Sequence, residues 1–461
     1  MIKKFFGTRD FYKRLISLMI PIMIQNGITN FVNMLDNIMV GRVGTLQMTG
    51  VAVSNQLIFV FNLCIFGAIS GAGIFGAQFY GKGDHKGLRY TLRFKMLFCL
   101  IITLLCSALF IFYGNELIGF YLKGEGTPED IAATLMYAKQ YLLIMLVGML
   151  PYVIAQCYAS TLRETGQTVV PMAAGIVAVS VNMSLNYVLI FGKLGAPKLG
   201  VAGAAIATVV SRFAELLVVT IWSHNHGKEN KFIIGLYKGF KIPRKLCGQI
   251  FIKGLPLMIN ETLWAASIAT MNQCYSVRGL NVVAATNIST TFYNVFSVAF
   301  LAVGMAIGIL IGQQLGSGKT DIVRDTARHS TTFSVLVSIV VGTVYVGVSR
   351  FIPYAYNTTE DVRSLATGFM IITAIAMPLE AYVNSAYFTL RSGGKTFITI
   401  LFDSCFAWVV NVPTAFILCN FTSLPILTIF LIIHLLTFVK CVLGYIFISK
   451  GIWIKNIVNE E

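Results

Sequence analysis

Residues 14–40 read RLISLMIPIMIQNGITNFVNMLDNIMV, and apolar stretches of this kind recur along the whole chain of 461 residues. Each is long enough to cross the roughly 30 Å hydrocarbon layer of a bilayer as a helix. Hydrophobic residues make up 56% of the sequence and charged residues 12%, whereas a soluble domain has about 25% charged residues. The composition therefore excludes an ordinary soluble enzyme. The runs are continuous rather than alternating in polarity, which excludes a transmembrane β-barrel.

We therefore predict an all-α integral membrane protein with twelve transmembrane helices. A polar gap near residues 224–245 divides the spans six and six. The predicted domains are an amino lobe at residues 1–228, a cytoplasmic linker at 229–245 and a carboxyl lobe at 246–461. The predicted spans lie near residues 14–40, 47–79, 95–115, 133–161, 168–193, 200–223, 246–276, 283–315, 328–350, 365–390, 394–419 and 424–449.

Three short motifs occur once in each half of the chain. PIMIQN at residues 21–26 resembles PLMINE at 256–261, and GAQFYGKGD at 76–84 resembles GQQLGSGKTD at 312–321. The third pair is TLRETGQT at 161–168 and TLRSGGKT at 389–396. Since each copy has six spans, the copies cross the membrane in the same direction, as in secondary transporters built from parallel repeats. The substrate path would run between the two lobes.

The net charge of +16 comes from basic residues in the gaps between spans, which does not fit a nucleic-acid-binding face. Basic residues concentrate in alternate gaps, and one such gap contains Lys86, Arg89, Arg93 and Lys95. The positive-inside rule places these gaps and both termini in the cytoplasm. The expected location is the plasma (inner) membrane.

Four acidic residues fall inside predicted spans: Asp36, Glu261, Glu380 and Asp403. A charged residue in the membrane costs about 2.5–3.5 kcal/mol on insertion scales, so each acid needs a functional or structural reason. For Asp403 a functional role and a structural role are equally expected. For the other three acids a functional role is favoured.

Asp36 flanks a polar stripe on the first span, because Asn26, Asn30, Asn33 and Asn37 share one helical face. Asn182 and Asn186 are one turn apart in the fifth span, and Thr208 in the sixth can complete a ring of oxygen ligands. Carboxylate, amide and hydroxyl oxygens suit a hard cation such as Na⁺. The same cluster would equally hold a proton on Asp36.

Other patterns favour plainer interpretations. Small residues such as Gly73 and Gly76 let helices approach closely, and His434 is expected to be a hydrogen-bonded structural residue. The nine Cys, without metal-ligand spacing, are expected to be buried hydrophobes. Nucleotide-binding and hydrolase motifs are absent from the sequence, so we expect the protein to be neither an ATP-driven pump nor an enzyme. We therefore predict no catalytic residues and no cofactor other than a coupling ion.

The repeats, the first-span pattern from Pro21 to Asp36 and the Leu-Arg turns resemble the multidrug and toxic-compound extrusion (MATE) family and its NorM-like branch over nearly the whole chain. The resemblance implies two six-helix lobes that form a V. It also implies an amino-lobe coupling site at Asp36, Asn182, Asn186 and Thr208, and a carboxyl-lobe site at Glu261 and Glu380. Some relatives have a second acid at the position of Asn186 and a tyrosine at that of Ala376. Na⁺ and H⁺ both stay open as the coupling ion.

We therefore expect a multidrug efflux antiporter that exports cationic or amphipathic organic compounds in exchange for Na⁺ or H⁺, acting in the bilayer as a monomer without nucleic acid. The alternative is a lipid-linked saccharide flippase of the same superfamily, whose cavity would need several Arg or Lys. The spans contain few, notably Arg212 and Lys440. A receptor or channel is a third class. The residues expected to line the substrate cavity are Gln25, Asn26, Asn33, Tyr293, Asn294 and Asn384.

Overall fold

The computed structural model describes residues 5–122, 127–239, 241–356 and 358–459, apart from the side chains of Asn33, Met34 and Asn37. Over these residues the chain is helical and contains no strand, so the all-α prediction is confirmed. The α-helices are α1 (Arg9–Gly41), α2 (Thr45–Lys82), α3 (His85–Tyr121), α4 (Pro128–Glu164), α5 (Val169–Phe191), α6 (Val201–Asn225), α7 (Arg244–Ser276), α8 (Leu280–Gly316), α9 (Thr320–Ser349), α10 (Glu360–Ser392), α11 (Thr396–Ile400), α12 (Val412–Phe421) and α13 (Ile426–Ser449).

Helices α11 and α12 belong to one continuous span, Thr396–Phe421. Two π-helical turns, Leu401–Cys405 and Ala407–Asn411, lie between them. A π-helical turn widens the helix locally and leaves backbone groups without their usual partners, and such turns occur frequently at functional sites. Asp403 lies in the first of these turns.

Eleven helical segments in the described part of the chain are long and apolar enough to cross a membrane. They coincide with eleven of the twelve predicted spans. The remaining one, α7, is a helix of 33 residues but is not apolar enough by composition. Polar residues such as Asn260, Glu261 and Gln273 interrupt its apolar sequence.

The repeated motifs fold into repeated helix ends. Gly83 after α2 and Gly318 after α8 both have positive φ, +79° and +74°. In each case the following amide donates to a carbonyl five residues earlier, Asp84 to Phe79 at 2.9 Å and Lys319 to Gln314 at 3.1 Å. This is the Schellman ending, in which a glycine without Cβ strain satisfies the last carbonyls of a helix. The sequence repeat is therefore also a structural repeat.

The chain forms two compact units. The amino unit contains Ile24–Gly76 and His85–Phe251, and the carboxyl unit contains Met1–Met23, Ala77–Asp84 and Ile252–Glu461. Helix α1 therefore passes from one unit to the other between Met23 and Ile24, and α2 does so between Gly76 and Ala77. The lobes at residues 1–228 and 246–461, with their linker, stay a prediction.

The carboxyl unit contains a reciprocal contact between the ends of α2 and α8. A Cβ added to Gly81 would lie 1.9 Å from the carbonyl oxygen of Gln313, and one added to Gly316 would lie 1.9 Å from that of Gln78. These separations are far below van der Waals contact, so only glycine allows the two backbones to approach this closely. The pseudo-equivalent residues of the two motifs thus meet each other.

The segment after α13 is packed into the same unit. Trp453 is fully buried and donates from Nε1 to the Ile448 carbonyl at 3.1 Å. Gln78 donates to the carbonyls of Ser392 (3.0 Å) and Lys455 (3.2 Å) and accepts from the Ile457 amide at 2.9 Å. One glutamine side chain therefore joins the ends of α2 and α10 to the carboxyl-terminal segment.

In the amino unit, arginines of α3 hold the segment that follows α6. Arg93 donates to the carbonyls of Leu236 (2.9 Å), Gly235 (2.7 Å) and Lys241 (3.2 Å), and Arg89 donates to that of Phe232 at 3.1 Å. Both arginines were predicted to lie in a polar gap between spans. They lie instead on α3, where Arg93 is buried. The segment they hold is thus fixed by charge-assisted hydrogen bonds.

Replacement of Trp453 by alanine is expected to lower the free energy of unfolding by about 3–5 kcal/mol, because it removes a buried indole and leaves a cavity. Thermal unfolding of the purified protein in detergent measures the change. Phe351→Ala is the matched control, since Phe351 is 75% exposed in the same unit. Equal shifts of Tm in the two variants would contradict the prediction.

Candidate functional site

Asp36 of α1 lies against α5 in the amino unit. Asn186 donates from Nδ2 to Asp36 Oδ1 at 2.6 Å and to Asn182 Oδ1 at 3.0 Å. Asn182 in turn donates to the Thr208 hydroxyl at 3.2 Å, and that hydroxyl donates to the Ala204 carbonyl. The four residues predicted as a coupling site therefore form one hydrogen-bonded chain across α1, α5 and α6. The side chains of Asn182 and Asn186 are buried.

The orientation of the Asn182 amide determines how this cluster bonds to an ionised Asp36. The amide atom of Asn182 that faces Asp36 is 3.0 Å from Oδ1, 3.3 Å from Oδ2 and 3.0 Å from the Asn186 nitrogen. If that atom is oxygen, it accepts from Asn186 but meets a second acceptor at Asp36. If it is nitrogen, it donates to Asp36, and the Asn182 oxygen then accepts from the Thr208 hydroxyl at 3.2 Å. Rotating the Asn186 amide as well would bring its oxygen to 2.6 Å from Asp36 Oδ1.

A proton on Asp36, or a cation between the oxygens, removes the conflict between the Asn182 oxygen and Asp36 without moving an atom. The protonated carboxyl donates to the Asn182 oxygen and still accepts from Asn186. A hard cation would be held by the same carboxylate and amide oxygens. The donor set of the cluster thus fits either ion.

Further polar groups surround Asp36. Tyr141 of α4 and Arg212 of α6 both interact electrostatically with it, and Tyr141 also interacts with Thr208. Arg212 itself lies 3.4 Å from Glu215 and packs on the Tyr152 ring at 4.5 Å. Tyr141 was not among the predicted site residues. Its place in this cluster depends on how α4 packs, which a one-dimensional pattern does not contain.

In the carboxyl unit, Glu380 of α10 has two partners from other helices. The Tyr293 hydroxyl donates to Oε2 at 2.5 Å, and His434 Nδ1 lies 3.4 Å from Oε1. Tyr293 and Glu380 were both predicted as site residues. His434 was expected to be only structural, and its position beside an acid 54 places earlier in the chain has no signal in local spacing.

Glu261 of α7 accepts from the Tyr387 hydroxyl at 3.0 Å, so its partner differs from those of Glu380. Asp403 lies 2.7 Å from Lys440 Nζ and accepts from Asn260 at 3.2 Å. Asp403 and Lys440 lie 37 residues apart, and local spacing in the sequence gives no signal that they pair. The predicted cation site at Glu261 and Glu380 stays a prediction.

The residues predicted to line a substrate cavity fall in both units. Gln25 accepts from Arg163 at 3.4 Å, and Asn384 donates to the Phe300 carbonyl at 3.2 Å. Asn26 is half-buried and Asn294 is exposed. The side chain of Asn33 lies outside the described residues. Gln25, Asn26 and Asn33 belong to the amino unit, and Tyr293, Asn294 and Asn384 to the carboxyl unit.

A buried ion pair that the sequence did not reveal lies in the amino unit. Lys95 Nζ is 2.5 Å from Glu164 Oε1 and also donates to the hydroxyls of Ser160 and Thr161. A Cβ at Gly76 would lie 2.0 Å from Glu164 Oε2, so this glycine makes room for the carboxylate. Lys95 was assigned to a cytoplasmic gap, yet it is fully buried on α3.

Among the described residues, no three His, Cys, Asp or Glu side chains lie together as ligands for a metal ion, and the nine cysteines form no disulfide. The carboxylates discussed above are held instead by amides, hydroxyls and protein cations.

The two halves of the chain each match the same family. The profile described as MatE matches residues 21–188 and again residues 256–417. The chain belongs to the MatE family. It is a multi-pass membrane protein, and the double match agrees with the repeated helix ends at Gly83 and Gly318.

Relatives of this MatE protein align over most of its length. It is 26% identical to "Probable multidrug resistance protein NorM" of Thermotoga maritima over 458 residues, 97% of this chain and 94% of the relative. It is also 26% identical to "Multidrug resistance protein PmpM" of Pseudomonas aeruginosa over 411 residues, 88% of this chain and 83% of the relative.

Solved structures share the fold. A multidrug resistance MATE family transporter of the MOP superfamily, solved in an outward-facing conformation, superimposes with a TM-score of 0.84 at 18% identity and covers 97% of this chain and 98% of its own. A MOP superfamily transporter from Pyrococcus furiosus, described with a binding pocket of reversed polarity, also gives 0.84 at 17% identity, over 98% and 97%. These likenesses establish the fold alone.

Lys95→Met is expected to lower the free energy of unfolding by about 3–5 kcal/mol, because it leaves the Glu164 carboxylate buried without its cation. The double variant Lys95→Met/Glu164→Gln removes both charges and is expected to lose less. Thermal unfolding in detergent compares them with Lys139→Met, a change at an exposed lysine of the same unit. A double variant as unstable as Lys95→Met would contradict this account.

Proposed function

We propose that this MatE protein is a secondary active antiporter that exports cationic or amphipathic organic compounds, and that Asp36 carries the coupling ion. Two observations support the proposal. The aligned relatives are named as multidrug resistance proteins. With the Asn182 amide oxygen turned toward Asp36, a proton or a cation completes the bonding of Asp36, Asn182 and Asn186. We take the proton as the coupling ion to test first, because a protonated Asp36 keeps its hydrogen bonds with both Asn182 and Asn186.

The coupling would operate by competition for negative charge. An ionised Asp36 attracts a cationic substrate, and a proton that enters from outside neutralises the carboxyl and removes this attraction. Proton and substrate then bind in alternation, which links their movements in opposite directions. One charge that moves inward across 100 mV supplies about 2.3 kcal/mol.

The remaining assignments are part of the same proposal. Glu261 and Glu380 form a second set of acids in the carboxyl unit, and the predicted cavity residues contact the substrate. The protein acts as a monomer in the plasma (inner) membrane with both termini in the cytoplasm. Na⁺ is the alternative coupling ion, held by the oxygens of Asp36, Asn182, Asn186 and Thr208.

The lipid-linked saccharide flippase is disfavoured by the partners of the basic residues within the helices. A flippase cavity needs cations available for a pyrophosphate. Arg212 is placed against Glu215 and Tyr152, and Lys440 against Asp403. Lys95 is likewise held by Glu164. These three cations are engaged inside the protein.

Ethidium transport in proteoliposomes tests the proposal, with an imposed pH gradient in one set and an imposed Na⁺ gradient in the other. We expect the pH gradient to drive ethidium movement in the wild type. Asp36→Asn removes the titrating carboxyl and is expected to reduce the driven rate by roughly 100-fold, within the usual range of coupling energies. Glu380→Gln tests the carboxyl unit in the same way.

Glu116→Gln is the matched control, since it changes an exposed acid of α3 and is expected to leave transport intact. Driven transport that persists in Asp36→Asn but disappears in Glu380→Gln would move coupling to the carboxyl unit. Transport driven by the Na⁺ gradient alone would show that Na⁺, and not the proton, is the coupling ion. If neither gradient moves ethidium, the efflux proposal is wrong, and the next assay would measure translocation of a lipid-linked saccharide.

A further inference from the structure

In the carboxyl unit, the acidic residue Asp403 is paired with a cationic side chain of the protein itself, that of Lys440. Lys440 of α13 places Nζ 2.7 Å from Asp403 Oδ1, with the two side chains only 11% and 18% exposed. The same ammonium lies 5.4 Å from the centre of the Phe402 ring and 5.9 Å from that of Phe406. A carboxylate and two ring faces are the groups that hold an ammonium in a low-dielectric site.

The protein builds this site with an unusual backbone. Asp403 lies in the π-helical turn Leu401–Cys405, and Asn260 of α7 donates to its second oxygen at 3.2 Å. The hydroxyl of Ser404 donates to the Asn260 side chain at 2.7 Å and fixes the orientation of that amide. Asp403 is therefore held on one oxygen by a fixed amide and on the other by Lys440.

The charges around this pair are nearly balanced. Glu261 interacts electrostatically with Arg391 and Asp403, and Glu380 does so with His434 and Lys440. Three carboxylates thus face one arginine, one lysine and one histidine. Removing Lys440 would leave an excess of negative charge at the Asp403 carboxylate, whose oxygens are ligands that a hard cation prefers.

We propose that the Lys440 ammonium is the resident cation of the carboxyl-unit acids and that it excludes Na⁺ from them. Lys440 is then a specificity-determining residue, because Na⁺ reaches Asp403 only where the ammonium is absent. The inference rests on the proposed function only in taking Na⁺ as a candidate coupling ion. It restricts sodium coupling, where it occurs, to the amino unit.

Binding of ²²Na⁺ to the purified protein in detergent tests the inference in an Asp36→Asn background, which removes the amino-unit carboxyl. We expect no saturable binding in Asp36→Asn itself. Saturable binding is expected to appear in Asp36→Asn/Lys440→Met and to be lost again when Asp403→Asn is added. Asp36→Asn/Lys450→Met is the matched control, since it changes an exposed lysine just beyond α13 and is expected to show no binding.

A second measurement tests the inference if the Lys440→Met variant does not fold. Lys440→Ala leaves space for a free amine, so propylammonium is expected to raise its Tm and to leave the Tm of the wild type unchanged. The inference is overturned if Asp36→Asn binds Na⁺ with Lys440 in place. It is also overturned if Lys440→Met folds without gaining Na⁺ binding, or if propylammonium fails to stabilise Lys440→Ala. Neither assay measures transport, so both can be interpreted even if the efflux proposal fails.

Discussion

A charge buried in a membrane protein must find its partner inside the protein, and this requirement determines the polar interior of the whole chain. Water is excluded from the bilayer core, so an unpaired carboxylate or ammonium there is costly. Lys95 meets Glu164, Arg93 meets backbone carbonyls, and Lys440 meets Asp403. Asp36 and Glu261 are different, because the described hydrogen-bonding partners of Asp36 are amides and that of Glu261 is a tyrosine hydroxyl.

Much of the architecture could be predicted from the sequence, since it depends on local properties. Apolar runs and their spacing identify the helices, and the repeated glycine motifs identify equivalent helix ends. For a related reason, the sequence could also predict the cluster of Asp36, Asn182, Asn186 and Thr208. Asn182 and Asn186 are one helical turn apart, and the family resemblance connects them with Asp36. Residues on one helical face are brought together whatever the tertiary arrangement.

The pairs formed between distant helices could not be predicted. Asp403 and Lys440 lie on separate spans, and their contact depends on the π-helical turn and on how α13 packs. Lys95 was assigned to a polar gap because a composition pattern does not distinguish a loop from the end of a long helix whose charge is paired internally. The Trp453 segment likewise gains its role only from the packing around it. Such contacts are set by tertiary structure, and single-sequence periodicity contains none of that information.

The reciprocal contact of Gly81 and Gly316 has a consequence for how such a chain changes with time. In an assembly of two identical six-span halves, one mutation at this glycine would alter both sides of the contact together. In a single chain each half supplies its own glycine and its own carbonyl, so one half can vary while the other stays fixed. Positions away from the contact do differ between the copies, since Glu164 with its buried lysine corresponds to Ser392 in the second copy. A single polypeptide thus permits the two halves to have different chemistry on a common frame.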